Sequence, residues 1–187
     1  GGNEIPNMVI EDWPDLGYRG FMLDISRNFT TKDNILRFID LLAHYKVNVF
    51  HLHFGDDEGW RVEIEKFPEL TTFGAYHEFP YKNEDGEYVE ENYLMPSYNG
   101  GMDPEDMSSS ANGHLTKEDY IEILKYAWER RISVIPEFDT PGHSRAAIKA
   151  MDKYAERTGD DSYLLYDPED TSDYCSVQYY KDNALNV

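Results

Sequence analysis

The stretch Val47-Asn48-Val49-Phe50-His51-Leu52-His53-Phe54-Gly55-Asp56-Asp57-Glu58-Gly59-Trp60-Arg61 decides how the rest of the chain is read. An apolar run of strand length delivers two histidines, three consecutive acids and a tryptophan to one place. A packed core has no use for that density of ionisable groups, because each buried charge must be paired or hydrogen-bonded. Strands that end in acids and a loop are where parallel α/β barrels carry binding and catalytic side chains.

The same pattern recurs on both sides. Gly20-Phe21-Met22-Leu23-Asp24-Ile25-Ser26 is a short apolar run ending in polar residues and reads as a buried strand. Ile132-Ser133-Val134-Ile135-Pro136-Glu137-Phe138-Asp139 is another, turning through Thr140-Pro141-Gly142 into a helix that opens near His143 and runs to about Arg157. Thr31 caps a helix predicted over 31–46, with Ile35, Phe38, Ile39, Leu42 and Tyr45 on one face. Thr116 caps a further helix of about 13 residues, for which Ile121, Leu124 and Trp128 are the expected buried stripe. Residues 61–113, rich in Gly, Pro, Asn, Tyr and acids, read as a long insertion-like loop, and loops of that length are functional or mobile.

The order strand, helix, strand, long loop, helix, strand, helix is that of an α/β fold with a buried parallel sheet. A polar payload at the C-terminal end of every strand favours a barrel over an open sheet. Three strands cannot close a barrel of eight, which takes ~250 residues. The 187 residues are therefore either a small open sheet or a segment of a barrel.

Composition narrows the partners. The chain is 40% hydrophobic and 14% aromatic, as a folded domain is. Its net charge of −20 argues against nucleic acid and anionic membrane surfaces and suits a neutral or cationic ligand such as an amino sugar, although solubility alone accounts for acidity of this kind. Cys175 is the single cysteine, so no intrachain disulfide forms. No run reaches the length of a membrane span and no signal peptide is present; Gly1-Gly2-Asn3 reads as an artificial start, which leaves room upstream for a leader.

Arg27, after the first strand, has the planar fork of donors that pairs with vicinal sugar hydroxyls; the alternative is a salt bridge to Asp24 or Glu137 that only holds the strand ends. Alternation puts His51 and His53 on one face, where they either pack and hydrogen-bond or join Asp56 in a divalent metal site. His143, after the Pro-Gly turn, points back over the strand ends, where Asp56 could fix its tautomer and raise its basicity; the competing reading is a helix-capping histidine. Glu137 and Asp139 supply carboxylates at the same end.

These residues resemble those of family 20 glycoside hydrolases, the β-N-acetylhexosaminidases. Tyr18-Arg19-Gly20-Phe21-Met22-Leu23-Asp24-Ile25-Ser26-Arg27-Asn28-Phe29 is similar to that family's first barrel strand, and Asn48 to His53 with Asp56-Asp57-Glu58-Gly59-Trp60-Arg61-Val62-Glu63-Ile64 to its second. Pro136-Glu137-Phe138-Asp139-Thr140-Pro141-Gly142-His143-Ser144-Arg145-Ala146-Ala147 resembles the third. Asp167-Pro168-Glu169-Asp170-Thr171-Ser172 and Ser176-Val177-Gln178 resemble the bacterial chitobiase branch. The likeness covers nearly the whole chain, in order.

The resemblance implies a (β/α)8 barrel that removes terminal β-linked N-acetylglucosamine or N-acetylgalactosamine, with the sugar's own acetamido oxygen attacking the anomeric carbon. It implies that Arg27 binds sugar hydroxyls, that Asp56 and His143 form a relay to an acid glutamate, and that Asp24, Glu137 and Asp139 support them. No cofactor is implied. The family's acid pair lies in a His-x-Gly-Gly-Asp-Glu motif after strand four, and no such motif is present. Asp56-Asp57-Glu58 is no substitute, because its neighbours match the second-strand loop. The expectation is therefore about the first three β/α units of a TIM barrel, one domain over 1–187, inactive alone and self-associating through its unsealed sheet edges. Secretion or a periplasmic location is the expectation for the parent enzyme. The competing functions are a non-catalytic sugar-binding or scaffold protein on a degenerate barrel, and a metal-dependent hydrolase using His51, His53 and Asp56.

Overall fold

A computed structural model describes residues 6–76, 112–167, 169–171, 175–176 and 180–185. Most of the expected loop 61–113 lies outside these residues, as do parts of the 167–172 and 176–178 segments. The elements are β1 (Gly20–Asp24), α1 (Lys32–His44), β2 (Val49–Asp56), β3 (Gly59–Trp60), α2 (Glu69–Thr72), α3 (Lys117–Glu129), β4 (Ser133–Phe138) and α4 (Arg145–Thr158).

β2 is the central strand. It pairs in parallel with β1 on one side and β4 on the other, while β3 is a two-residue antiparallel extension at its C-terminal end. The parallel α/β order expected from hydrophobic periodicity is the one observed. Phe50, Leu52 and Phe54 point from β2 to one face, where Ile35, Ile39 and Leu42 of α1 and Ile123 and Ala127 of α3 close over them. Burying each large side chain there contributes about 2–3 kcal/mol, which fixes β2 between its neighbours. The other face of β2 carries His51 and His53.

Both long helices before a strand end alike. Lys46 and Arg131 adopt φ of 58° and 61°, and the N–H groups of Val47 and Ile132 reach back to the carbonyls of Leu42 and Ala127. That left-handed stop, more often glycine, turns the chain sharply into β2 and β4.

Two details of the expected burial are overturned. Trp128 is 73% exposed and Ile121 and Leu124 are exposed too; α3 buries Ile123 and Ala127, with Tyr120 packed beside them. The helix has two adjacent apolar stripes one residue apart. Periodicity cannot choose between them; contact with α1 and the sheet does. Tyr45 is also exposed, because α1 has already ended at His44 and Tyr45 is its cap residue.

The start of α3 is a full capping box: Thr116 Oγ1 accepts from Asp119 N at 3.1 Å and Asp119 Oδ2 accepts from Thr116 N at 3.1 Å. Thr116→Ala removes one half and is expected to lower the unfolding free energy by about 1 kcal/mol in denaturant titration.

Candidate active site

Parallel pairing brings the C-terminal ends of β1, β2 and β4 side by side. Residues directly opposite in a parallel pair share a face, so the register makes two rows: Met22, His51 and Ile135, then Asp24, His53 and Glu137. The second row is charged and continues into Arg27, Asp56, Asp57 and Glu58. His51 and His53 do share a face, and Glu137 joins them, its Oε2 lying 2.9 Å from His51 Nε2 and 3.0 Å from His53 Nδ1.

Asp56 is the hub. Its carboxylate is wholly buried and four donors surround it. Oδ1 accepts from the Asp57 N–H at 2.7 Å and lies 3.3 Å from His143 Nδ1; Oδ2 is 2.7 Å from Arg27 Nη2 and 2.9 Å from His53 Nε2. Burial alone would raise its pKa, but the His53 bond, the Asp57 N–H and the charges of Arg27 and His143 together hold it below the ordinary carboxylate range. His53 has a carboxylate at each ring nitrogen. Burial favours the neutral ring, yet Asp56, Asp24 and Glu137 outweigh it and lift the imidazole pKa.

Arg27 sits in a clamp of three acids. Asp24 Oδ2 takes Nη1 at 2.9 Å, Asp56 Oδ2 takes Nη2 at 2.7 Å, and Glu58 Oε2 stands 3.3 Å from Nε. Asp24 also accepts the Ser26 and Arg27 N–H groups, both at 3.0 Å, so the turn after β1 is wound around that carboxylate. Of the two salt bridges weighed for Arg27, the one to Asp24 forms; Glu137 binds the histidines instead.

His143 precedes α4 with φ of 57°, a left-handed conformation that costs a non-glycine residue about 1–2 kcal/mol. Its Nδ1 lies between two carboxylates, 3.3 Å from Asp56 Oδ1 and 3.2 Å from Asp57 Oδ2, and hydrogen-bonds to neither. It does not cap α4. That task falls to Asp57, whose Oδ1 accepts the Arg145 N–H at 3.1 Å, while Asn183 Nδ2 donates to Oδ2 at 2.9 Å. The three consecutive acids thus differ: Asp56 is held ionised, burial raises the Asp57 pKa, and burial reinforced by Asp56 lifts Glu58 to about 7.

Arg61 holds a role that residue type and spacing alone do not reveal. It is fully buried and donates to backbone carbonyls of Ser26, Ala75 and Gly113, tying the end of β1 to both described ends of the long excursion. Its signal in the sequence is that it is the single Lys or Arg between Lys46 and Lys66, set among Trp60, Val62 and Ile64. The set His51, His53 and Asp56 weighed for a metal does not converge. Among the described residues, the groupings whose donor atoms lie within 4.8 Å are His53–Glu137–Asp139 and Asp56–Asp139–His143, and the Arg27 guanidinium already supplies a cation to Asp56.

A parallel sheet with its ionic groups gathered at the C-terminal strand ends is where α/β enzymes build their sites, and the likeness to known proteins makes the class definite. The chain belongs to glycosyl hydrolase family 20, whose catalytic domain matches residues 16–187. Among its relatives are a β-hexosaminidase of Vibrio vulnificus, 44% identical over 100% of this chain and 22% of the relative, and an N,N'-diacetylchitobiase of Vibrio harveyi, 42% identical over 98% and 20%. The chain spans about a fifth of the length of these curated relatives. The fold is also similar to part of a Vibrio harveyi exo-β-N-acetylglucosaminidase solved with N-acetylglucosamine, with TM-score 0.70 and 39% identity over 94% of this chain and 23% of that one.

Proposed function

We propose that residues 1–187 are the first three β/α units of a (β/α)8 barrel in a β-N-acetylhexosaminidase that hydrolyses terminal β-linked N-acetylglucosamine or N-acetylgalactosamine with assistance from the substrate's acetamido group. In this reading Arg27 binds the terminal sugar's hydroxyls with the edge of its fork left open by the clamp. Asp56 holds His143 as a relay toward an acid glutamate that is not among these residues, and Asp24, Glu137 and Asp139 hold the shape. The observation that carries the reading is the placement of Asp56, with Arg27 paired to one oxygen and the His143 Nδ1 3.3 Å from the other. One buried carboxylate then links the sugar-binding and proton-relaying groups.

The acids at 56–58 do not serve as the acid pair: Asp56 is surrounded by donors, and Asp57 caps α4. The open edges of β1 and β4, which pair only with β2 among the described residues, support the barrel and are where further strands, or a second copy of the isolated segment, would add. Met22 and Ile135, 50% and 41% exposed on the histidine face, support it further, since that face becomes a packed barrel interior on closure.

The test is hydrolysis of a chromogenic β-N-acetylglucosaminide by this chain and by the full-length product of its gene. Turnover by the longer protein alone is the expected result. Turnover by the 187-residue chain would show that its own carboxylates do the chemistry, and silence in both would favour a non-catalytic sugar-binding protein.

A further inference from the structure

Glu58 has no part in the relay, yet its side chain is only 13% exposed and lies at the edge of the sugar-binding group. It occupies the turn between β2 and β3, so its backbone is fixed by the pairing of Asp56 with Gly59. Its Oε2 is buried without a hydrogen bond and stands 3.3 Å from Arg27 Nε. The other two nitrogens of that guanidinium are held closer, by Asp24 at 2.9 Å and Asp56 at 2.7 Å. A planar fork pinned at both Nη atoms can still rock about the line between them; a third contact at Nε removes that motion.

We propose that Glu58 is a positioning residue for substrate binding, its carboxylate fixing the plane of the Arg27 guanidinium through Nε so that the remaining donors meet the sugar hydroxyls. The inference rests on the reading of Arg27 as the sugar-binding group. It assigns Glu58 no contact with the reacting atoms, so its effect falls on KM rather than kcat.

The contact is also proton-sensitive. The groups facing Glu58 are Arg27 from the turn after β1, Asp56 at the end of β2, Asp57 in the turn that follows it, Arg61 beyond β3, and Tyr180 of the C-terminal segment. Burial, with the charges of Asp56 and Asp57 added and that of Arg27 opposing them, places its ionisation near pH 7. A carboxyl with a raised pKa is neutral below that pH and charged above it. The charged contact to Arg27 is therefore present on the alkaline side and lost as pH falls.

The experiment compares wild type, Glu58→Gln, Glu58→Asp and Arg27→Ala in the full-length enzyme, measuring kcat and KM from pH 5.5 to 8.5, a window set about roughly one and a half units either side of the Glu58 ionisation. Wild-type KM is expected to fall as pH rises through about 7. Glu58→Gln keeps the shape but not the charge, so above that pH its KM should exceed the wild-type value by about three- to tenfold, with kcat within about twofold and the pH step gone. Glu58→Asp draws the carboxylate back by one methylene and should raise KM while keeping a pH step. A wild-type KM in Glu58→Gln, or a pH step that survives in it, overturns the proposal. Arg27→Ala separates the two readings. If it leaves KM unchanged, the sugar-binding role of Arg27 has failed and the Glu58 role with it; if it raises KM while Glu58→Gln does not, only the Glu58 role has failed.

Discussion

Asp56→Asn in the full-length enzyme is expected to lower kcat by about 10²–10³-fold, equivalent to ~3–4 kcal/mol of transition-state stabilisation, while the protein still folds. The reason is the number of donors around the carboxylate. Asp57 N and His143 Nδ1 face Oδ1, and Arg27 Nη2 and His53 Nε2 face Oδ2. An asparagine has one acceptor oxygen and places an N–H₂ group against the remaining donors. If its oxygen faces Arg27 and His53, its amide opposes His143 and the relay loses its charge; in the opposite orientation Arg27 loses its closest acid. Either way one donor is set against another.

His143→Ala should also lower kcat, and the double variant should be little slower than the slower single one, because the two act as a unit. Wild-type turnover in either single variant would remove that residue from the relay. Fully additive losses would show two independent roles.

Arg61→Met is expected to cost about 3–5 kcal/mol of stability, seen as a fall of roughly 10 °C in Tm. Methionine fills similar volume but donates nothing. The Ser26 carbonyl loses both guanidinium donors, at 3.1 and 2.7 Å, and the Ala75 and Gly113 carbonyls lose theirs in a place water does not reach. Burial pulls the Arg61 pKa down to about 9, so the group stays charged at neutral pH and the bonds it makes are charge-assisted. Gly59 belongs to the same arrangement, since a Cβ there would overlap the guanidinium. Arg61→Lys keeps the charge but cannot span three carbonyls with one ammonium, and an intermediate loss of about 2 kcal/mol is expected. A loss below about 1 kcal/mol in Arg61→Met would mean that these carbonyls find other partners.

Legibility differed from residue to residue for physical reasons. His51 and His53 share a face because strand alternation is a local rule. Arg27 and His143 were legible as strand-end groups because parallel strands collect their C-terminal ends. The depth of α3 was not legible: two stripes satisfied the helical period, and only docking against α1 and β2 selected Ile123 and Ala127 over Leu124 and Trp128. Asp57 as the cap of α4 was hidden too, since the capping group comes from the distant turn between β2 and β3 and the helix's own Ser144 hydroxyl donates to the Asp139 carbonyl instead.

By itself the sequence determined the order of strands and helices, their parallel pairing and the end of the sheet that carries the charge. Those follow from hydrophobic period, caps and turn residues, which act over a few neighbours. Only the tertiary structure decided which carboxylate meets which cation. Asp24, Asp56, Glu58 and Glu137 are alike as residues, and their roles differ because packing sets each at its own distance from Arg27, His51, His53 or His143 and buries it to a different degree.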